Sequence, residues 1–223
     1  MPLKLTFTEE NYLKTIYSLG VSGNKGVTTN AIAGRLQTKA ASVTDMIKKL
    51  SDKKLLNYEK YYGVTLTKEG KRIAIETIRK HRLWEVFLVE KLNFGWDEVH
   101  EVAEQLEHIQ SVKLIDKLDE FLDHPETDPH GDPIPDKNGK MSAAAETTEL
   151  SACGINDRVV IHGVADTSSG FLVYLNQQGL ILGVQMKVIS VYDFDKSMVV
   201  ELKNKMRITV SNMVTRNIMV KKL

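Results

Sequence analysis

The sequence predicts a multidomain, mainly α chain: an N-terminal winged helix-turn-helix, a helical middle, and a small, partly open β-barrel at the C-terminus. Three observations predict it. Apolar residues recur at helical spacing as far as about Leu122. From about Ser151 the texture changes to short β-type runs punctuated by glycines and charged turns. Between them, HPETDPHGDPIPDKNG (124–139) holds four prolines and two glycines, which excludes regular structure there. The expected boundaries are 1–70, 71–140, a linker at 141–150, and 151–223.

In the head, TEENYLKTIYSL (8–19) reads as a helix capped by Thr8, with Tyr12, Leu13, Ile16, Tyr17 and Leu19 as its buried stripe. Thr28 or Thr29 caps a short helix, NAIAGRL, and after a turn at Gln37–Lys39 a third helix runs from about Ala41 to Lys54. LLNYEKYYGVTLTKEG then alternates about a turn at Tyr62–Gly63, which makes a two-stranded wing. Helix, turn, helix and wing form a winged-helix domain. Its third helix would enter a DNA major groove, presenting Lys39, Ser42, Thr44, Asp45, Lys48 and Lys49, with Arg35 nearby and Lys60 and Tyr61 on the wing. Ser42 and Thr44 are candidate donors to phosphates or base edges. Residues 1–70 carry 11 Lys/Arg against 6 Asp/Glu, which fits a polyanionic partner.

The middle has the opposite sign, with 10 Lys/Arg against 16 Asp/Glu over residues 71–140. A long helix is expected over 68–92, followed by helices at 96–110 and 111–122. His81 and Glu85 stand at i, i+4 on the first, and His100, Glu104, Glu107 and His108 at i, i+4, i+7, i+8 on the second. Each set would project from one helix face. No Lys or Arg falls between Lys91 and Lys113, so the acids need a cation or solvent to relieve their repulsion. Imidazole and carboxylate donors without thiolates suit Mn²⁺, Fe²⁺, Co²⁺ or Zn²⁺. The apolar faces of these helices exceed what three helices bury by themselves, which predicts dimerisation.

The last part offers RVVIHGV, FLVYL, MKVISVY, SMVVEL, RITVS and NIMVKK as strands of the barrel. A single cysteine, Cys153, excludes an internal disulfide framework and fits a reducing cytoplasm. No apolar run approaches the length of a membrane span.

With these parts in order, the chain resembles the diphtheria-toxin-repressor and manganese-transport-regulator family of metal-dependent transcriptional repressors. The residues that carry the resemblance are YLKTIY (12–17), ASVTDMIKKL (41–50), RKHRL..E (79–85), VH...E..EH (99–108) and HGDPIP (130–135). The resemblance implies an SH3-like, FeoA-type barrel, and a homodimer that binds a palindromic double-stranded DNA operator when Mn²⁺ or Fe²⁺ is bound at two sites per subunit. One site would use His81, Glu85 and His100. The other would use Glu104, Glu107, His108 and a donor from the N-terminal helix, where Asn11 matches and Glu10 is the neighbouring alternative. Glu104 stands where the iron-selective branch has Cys, which tilts the site toward Mn²⁺. Some members add barrel ligands to the first site; Thr167 and Gly170 match those positions here, and Asp166 is the nearby carboxylate. No enzymatic activity, small-molecule substrate or membrane partner is implied. Two other functions fit parts of the pattern: a winged-helix regulator answering to a small organic ligand, and a di-metal hydrolase.

Overall fold

The computed structural model describes residues 4–20, 26–59, 62–141 and 146–223. Helices are α1 (Phe7–Gly20), α2 (Thr29–Arg35), α3 (Ala40–Asp52), α4 (Lys68–Leu92), α5 (Val99–Leu106), α6 (Val112–Phe121), α7 (Ser169–Gln178) and α8 (Asn212–Thr215). Strands are β1 (Leu56–Glu59), β2 (Gly63–Leu66), β3 (Thr148–Glu149), β4 (Arg158–Val164), β5 (Gln185–Val191), β6 (Met198–Leu202), β7 (Arg207–Val210) and β8 (Ile218–Lys222). The chain forms two compact units: Met1–His81 with Glu104–Lys117 and Pro135–Lys140, and Arg82–Ala103 with Leu118–Ile134 and Met141–Leu223.

The first unit is built on the winged helix. α1 starts one turn-step earlier than its sequence suggests, because Thr6 and not Thr8 caps it. Glu9 N–H donates to Thr6 Oγ1 (3.3 Å) while Thr6 N–H donates to Glu9 Oε2 (2.8 Å), the reciprocal bonds of a capping box. Thr28 caps α2 through Ala31 N–H. Leu13 and Ile16 of α1, Ile32 of α2, and Val43, Ile47 and Leu50 of α3 close one core with Leu55, Val64 and Ile73. β1 and β2 pair antiparallel from Leu56↔Leu66 to Glu59↔Gly63, and Val27 bridges Val64 on the far side of the hairpin. Gly70 lets α4 press on the wing, since a Cβ there would lie 2.1 Å from the Leu55 carbonyl oxygen.

The second unit holds an antiparallel sheet in the order β3-β8-β4-β5-β6-β7, a barrel-like sheet that does not close. Its core runs from Leu150 and Cys153 through Val159, Ile161, Val188, Val200 and Val220, and includes Trp96. One expected strand is a helix: FLVYL lies inside α7. Ser168 opens that helix and Gly179, at φ +67°, ends it, while Leu172 and Leu175 face the core three residues apart. A short apolar run satisfies strand and helix periodicity equally, and here the glycine stop decides for helix.

Candidate metal centres and DNA-facing surface

In the first unit, α1 delivers Glu10 and Asn11, α4 delivers His81, and the end of α5 delivers Glu104. Glu107 and His108 are not on that helix, as their spacing suggests, but in the turn after it, which Ile109 N–H closes onto the Leu106 carbonyl (3.1 Å). The turn carries both side chains inward. Glu107 is 0% exposed, and its Oε2 lies 2.6 Å from His81 Nδ1. Glu10 Oε2 lies 2.5 Å from His108 Nδ1, and Glu10 Oε1 accepts from Gln110 Nε2 at 2.8 Å. The Phe7 ring stacks on His108 at 4.4 Å. A carboxylate only accepts, so these contacts place the proton on Nδ1 of each imidazole and leave Nε2 with its lone pair when the ring is neutral. That is the way a carboxylate orients a metal-binding histidine. His108 Nε2 in turn stands 3.8 Å from Glu107 Oε1, within the span of two ligands each about 2.1 Å from one ion.

Lys14, one turn along α1, also reaches this cluster. Its Nζ donates to both oxygens of Glu107 (2.7 and 2.8 Å) and lies 3.5 Å from Glu104 Oε1. Burial would push the Glu107 carboxyl up, but the hydrogen bond with His81 and the Lys14 charge outweigh it and hold the group below the usual carboxylate range. Asn11 Oδ1 is buried with no hydrogen-bond partner among the described residues.

The second unit has its own cluster, centred on Glu85 (1% exposed). Glu85 Oε1 lies 3.3 Å from His100 Nδ1, and Oε2 lies 3.7 Å from His130 Nδ1. Asp128 joins them: donor atoms of Glu85, Asp128 and His130 lie within 4.8 Å of one another, and all three residues are buried. His130 Nε2 lies 2.8 Å from the Trp96 carbonyl oxygen, which only accepts, so Nε2 carries a proton and Nδ1 faces Glu85. Burial, together with the Glu85 and Asp132 carboxylates, pushes Asp128 up to about 7, against the pull of Arg82 and His130. Burial would lower His130, yet Glu85 and Asp128 raise it above the ordinary histidine value. Asp128 and Glu85 are buried side by side with His130, and a divalent cation fits such a set of donors.

The loop that carries Asp128 and His130 is fastened at three points. Asp128 Oδ1 accepts from His130 N–H (2.8 Å) and Asp132 N–H (3.0 Å), and Arg82 donates to the Pro133 carbonyl and to Asp132 Oδ2. The His130 carbonyl accepts from Val164 N–H of β4 (3.0 Å). Gly131 is at φ +92°, and a Cβ there would sit 2.3 Å from the His162 carbonyl oxygen. The sequence predicts 124–139 only as loop, with no ligand in it. The available signal was the Asp-x-His pair in DPH (128–130), two donors at chelating distance in a proline-braced turn.

His81 and Glu85 stay one turn apart on the unbroken helix α4. Asp166 lies in the turn before α7, where its Oδ1 accepts from Ser168 N–H (2.8 Å). Thr167 shares that turn and Gly170 is in the first turn of α7. Asp166 does not belong to the His/Cys/Asp/Glu clusters found among the described residues.

On the winged helix, Arg35, Lys39, Ser42, Thr44, Asp45, Lys48 and Lys49 are all exposed, while Val43, Ile47 and Leu50 face the core. Two of these side chains are partly spent within the chain. Thr44 Oγ1 donates to the Ala40 carbonyl (3.0 Å), so its hydroxyl proton is not directed outward. Lys49 Nζ lies 3.2 Å from Glu9 Oε1, beside Lys53 at 2.7 Å. Lys60 and Tyr61 lie outside the described residues.

Comparison with known proteins supplies context for this geometry. Residues 4–64 match the family model for the iron dependent repressor N-terminal DNA binding domain. Residues 67–136 match its metal binding and dimerisation domain, and residues 148–222 match the FeoA domain. The iron-dependent repressor IdeR of Mycobacterium tuberculosis is 36% identical over 132 residues, which is 59% of this chain and 57% of that protein. The alignment thus spans little more than half the length of that relative. The regulator MntR of Oceanobacillus iheyensis is 33% identical over 115 residues, 52% of this chain and 77% of its own length. Among solved structures, a manganese-dependent transcriptional repressor in complex with manganese superposes with a TM-score of 0.85 at 32% identity, covering 96% of this chain and 100% of that one. No helix among the described residues is long and apolar enough to cross a membrane.

Proposed function

The chain belongs to the iron-dependent repressor family, and we propose on that footing that it represses transcription by binding DNA as a homodimer when Mn²⁺ or Fe²⁺ is present. The observation that carries this is the convergence of Glu85, Asp128 and His130, all buried, in a chain whose head is a winged helix. One site would comprise Glu85 with His81, His100, Asp128 and His130. The other would comprise Glu104, Glu107 and His108 with Asn11 or Glu10 from α1. The metal supplies the positive charge that lets these carboxylates share one small space.

The chain's own residues couple the second of these sites to DNA. Glu9 and Glu10 are neighbours on α1: Glu9 holds Lys49 and Lys53 at the end of α3, and Glu10 holds His108. Fixing His108 therefore fixes α1, and through Glu9 the end of the helix that faces the groove. In a dimer two such helices must match two half-sites about one helical turn apart, so a fixed pose raises affinity for a palindromic operator. Arg35, Lys39, Ser42, Asp45, Lys48 and the wing pair Lys60 and Tyr61 would make the contacts, Thr44 as acceptor only. We place this activity in the cytoplasm.

The test is selection of DNA fragments by the full chain with and without Mn²⁺, anaerobic Fe²⁺ and Zn²⁺, repeated with His108→Ala. Expected is a selected palindrome bound only with metal, and loss of that dependence in the variant. Equal binding with and without metal would sink the proposal and favour a regulator of the small-ligand type.

A further inference from the structure

Lys14 is the residue whose position the proposed function does not use. Its ammonium sits on both oxygens of Glu107 and within 3.5 Å of Glu104, with only 16% of its side chain exposed. Glu107 itself is completely buried. A cation bound between Glu107 and His108 Nε2 needs one of the same carboxylate oxygens, and two positive charges within bonding distance of one oxygen repel at several kcal/mol in a part-buried setting, on the order of the Coulomb energy of unit charges about 4 Å apart. The ammonium and the metal are therefore alternatives at Glu107.

We propose that Lys14 is a built-in competitor for the Glu104–Glu107 carboxylates, and that it sets the metal concentration at which the first-unit cluster fills. This rests on the metal-binding function proposed above. With Lys14 seated, the buried carboxylate has a counter-ion and the metal-free fold is stable. As metal enters, Lys14 leaves Glu107 and its flexible stem carries the ammonium toward solvent. No proton or covalent bond changes; one cation replaces another. The arrangement makes filling this cluster cost more than it would if Glu107 had no ammonium on it. Lys14 thus raises the threshold of the cluster that touches α1 without being a ligand itself.

The experiment uses the full chain with Glu85→Gln as background, so that Mn²⁺ titration reports the first-unit cluster, read by calorimetry and by the free-ion paramagnetic signal. Lys14→Met removes the charge and keeps the stem; Lys14→Arg keeps the charge. Expected is Mn²⁺ binding about tenfold or more tighter for Lys14→Met, the release of one charge-assisted hydrogen-bonded pair, and binding within a few-fold of the parent for Lys14→Arg. A second measurement needs no variant: the Lys14 amine of the otherwise unchanged protein should react faster with an acetylating reagent, read by mass spectrometry, once Mn²⁺ is added. Mn²⁺ binding that is unchanged or weaker in Lys14→Met, or an amine whose reactivity Mn²⁺ does not alter, overturns the competitor while the metal-binding function stands. Absence of Mn²⁺ binding in the unmodified chain as well as in Lys14→Met overturns that function and the competitor together.

Discussion

The two donor clusters solve the same electrostatic problem in opposite ways. Around Glu107 the chain supplies its own positive charge, with Lys14 on both oxygens and His81 beside them, and the carboxyl is held low. Beside Asp128, Arg82 stands with its Nε 3.4 Å away while its other nitrogens serve Pro133 and Asp132, and Asp128 is pushed up to about 7. The first cluster is stable as it stands. The second pays a repulsion that only a proton or an added cation removes, and it should therefore be the first to take metal.

The largest test of this contrast is Glu85→Gln. Glu85 faces both His100 and His130, so its loss should weaken the second-unit site by well over about 100-fold, beyond the usual effect of losing an outer-shell partner. Metal analysis of the purified protein should show one ion fewer per chain. An equal loss at both clusters would show that the two do not fill independently.

Next comes a pair of charge removals with opposite expected signs in the metal-free protein. Glu107→Gln leaves Lys14 and His81 facing a neutral amide and should cost about 3 kcal/mol, as breaking a buried ion pair does. Asp128→Asn keeps an oxygen for the His130 and Asp132 N–H groups while removing the repulsion with Glu85. It should leave stability unchanged or raise it by about 1 kcal/mol. Urea unfolding of both variants at pH 8 with chelator decides; destabilisation of the same size in both would mean that the second cluster is as well compensated as the first.

How far the sequence revealed these clusters depended on how regular the backbone is beneath them. His81, Glu85 and His100 were legible because α4 is unbroken and α5 begins at Val99, so helical spacing predicted their faces. Glu107 and His108 were legible as donors but not as turn residues. The shift from helix to turn after Leu106 depends on one closing hydrogen bond that no periodicity reports. Asp128 and His130 were illegible because the geometry of 124–139 comes from long-range anchors, namely Arg82, Val164 and the close approach at Gly131. The role of Lys14 is invisible for the same reason: its partner is 93 residues away. The winged helix was readable throughout, while FLVYL misled because five apolar residues carry too little periodicity to choose between strand and helix.

Acid extends the contrast to the first turn of α1. Burial would raise Glu9, but Lys53, the Thr6 N–H and Lys49 bring it down to about 2 from an ordinary 4.5. A depressed folded value means the stabilisation is fully present above about pH 4.5 and is lost as pH falls through about 2. Its size is about 3 kcal/mol at most. Glu9→Gln should remove that acid dependence from the first unit and lower its stability at pH 7, both measurable by thermal unfolding across pH. A variant whose stability still fell by the same amount over that window would assign the acid sensitivity to other carboxylates.

The smallest expected effect concerns which α1 side chain serves the first-unit cluster. Asn11 Oδ1 is buried and makes no hydrogen bond among the described residues, so Asn11→Ala should change metal-free stability by no more than about 0.5 kcal/mol. Glu10→Gln, by contrast, weakens the contact that holds the His108 proton on Nδ1 and should cost about 1–3 kcal/mol. Metal affinity separates their roles further. If the amide oxygen is the ligand and Glu10 the residue that orients His108, Asn11→Ala weakens Mn²⁺ binding with stability intact, while Glu10→Gln weakens both. If Asn11→Ala binds Mn²⁺ as the parent does, the amide is a packing residue, and Glu10 is the residue of the pair that ties α1 to the metal.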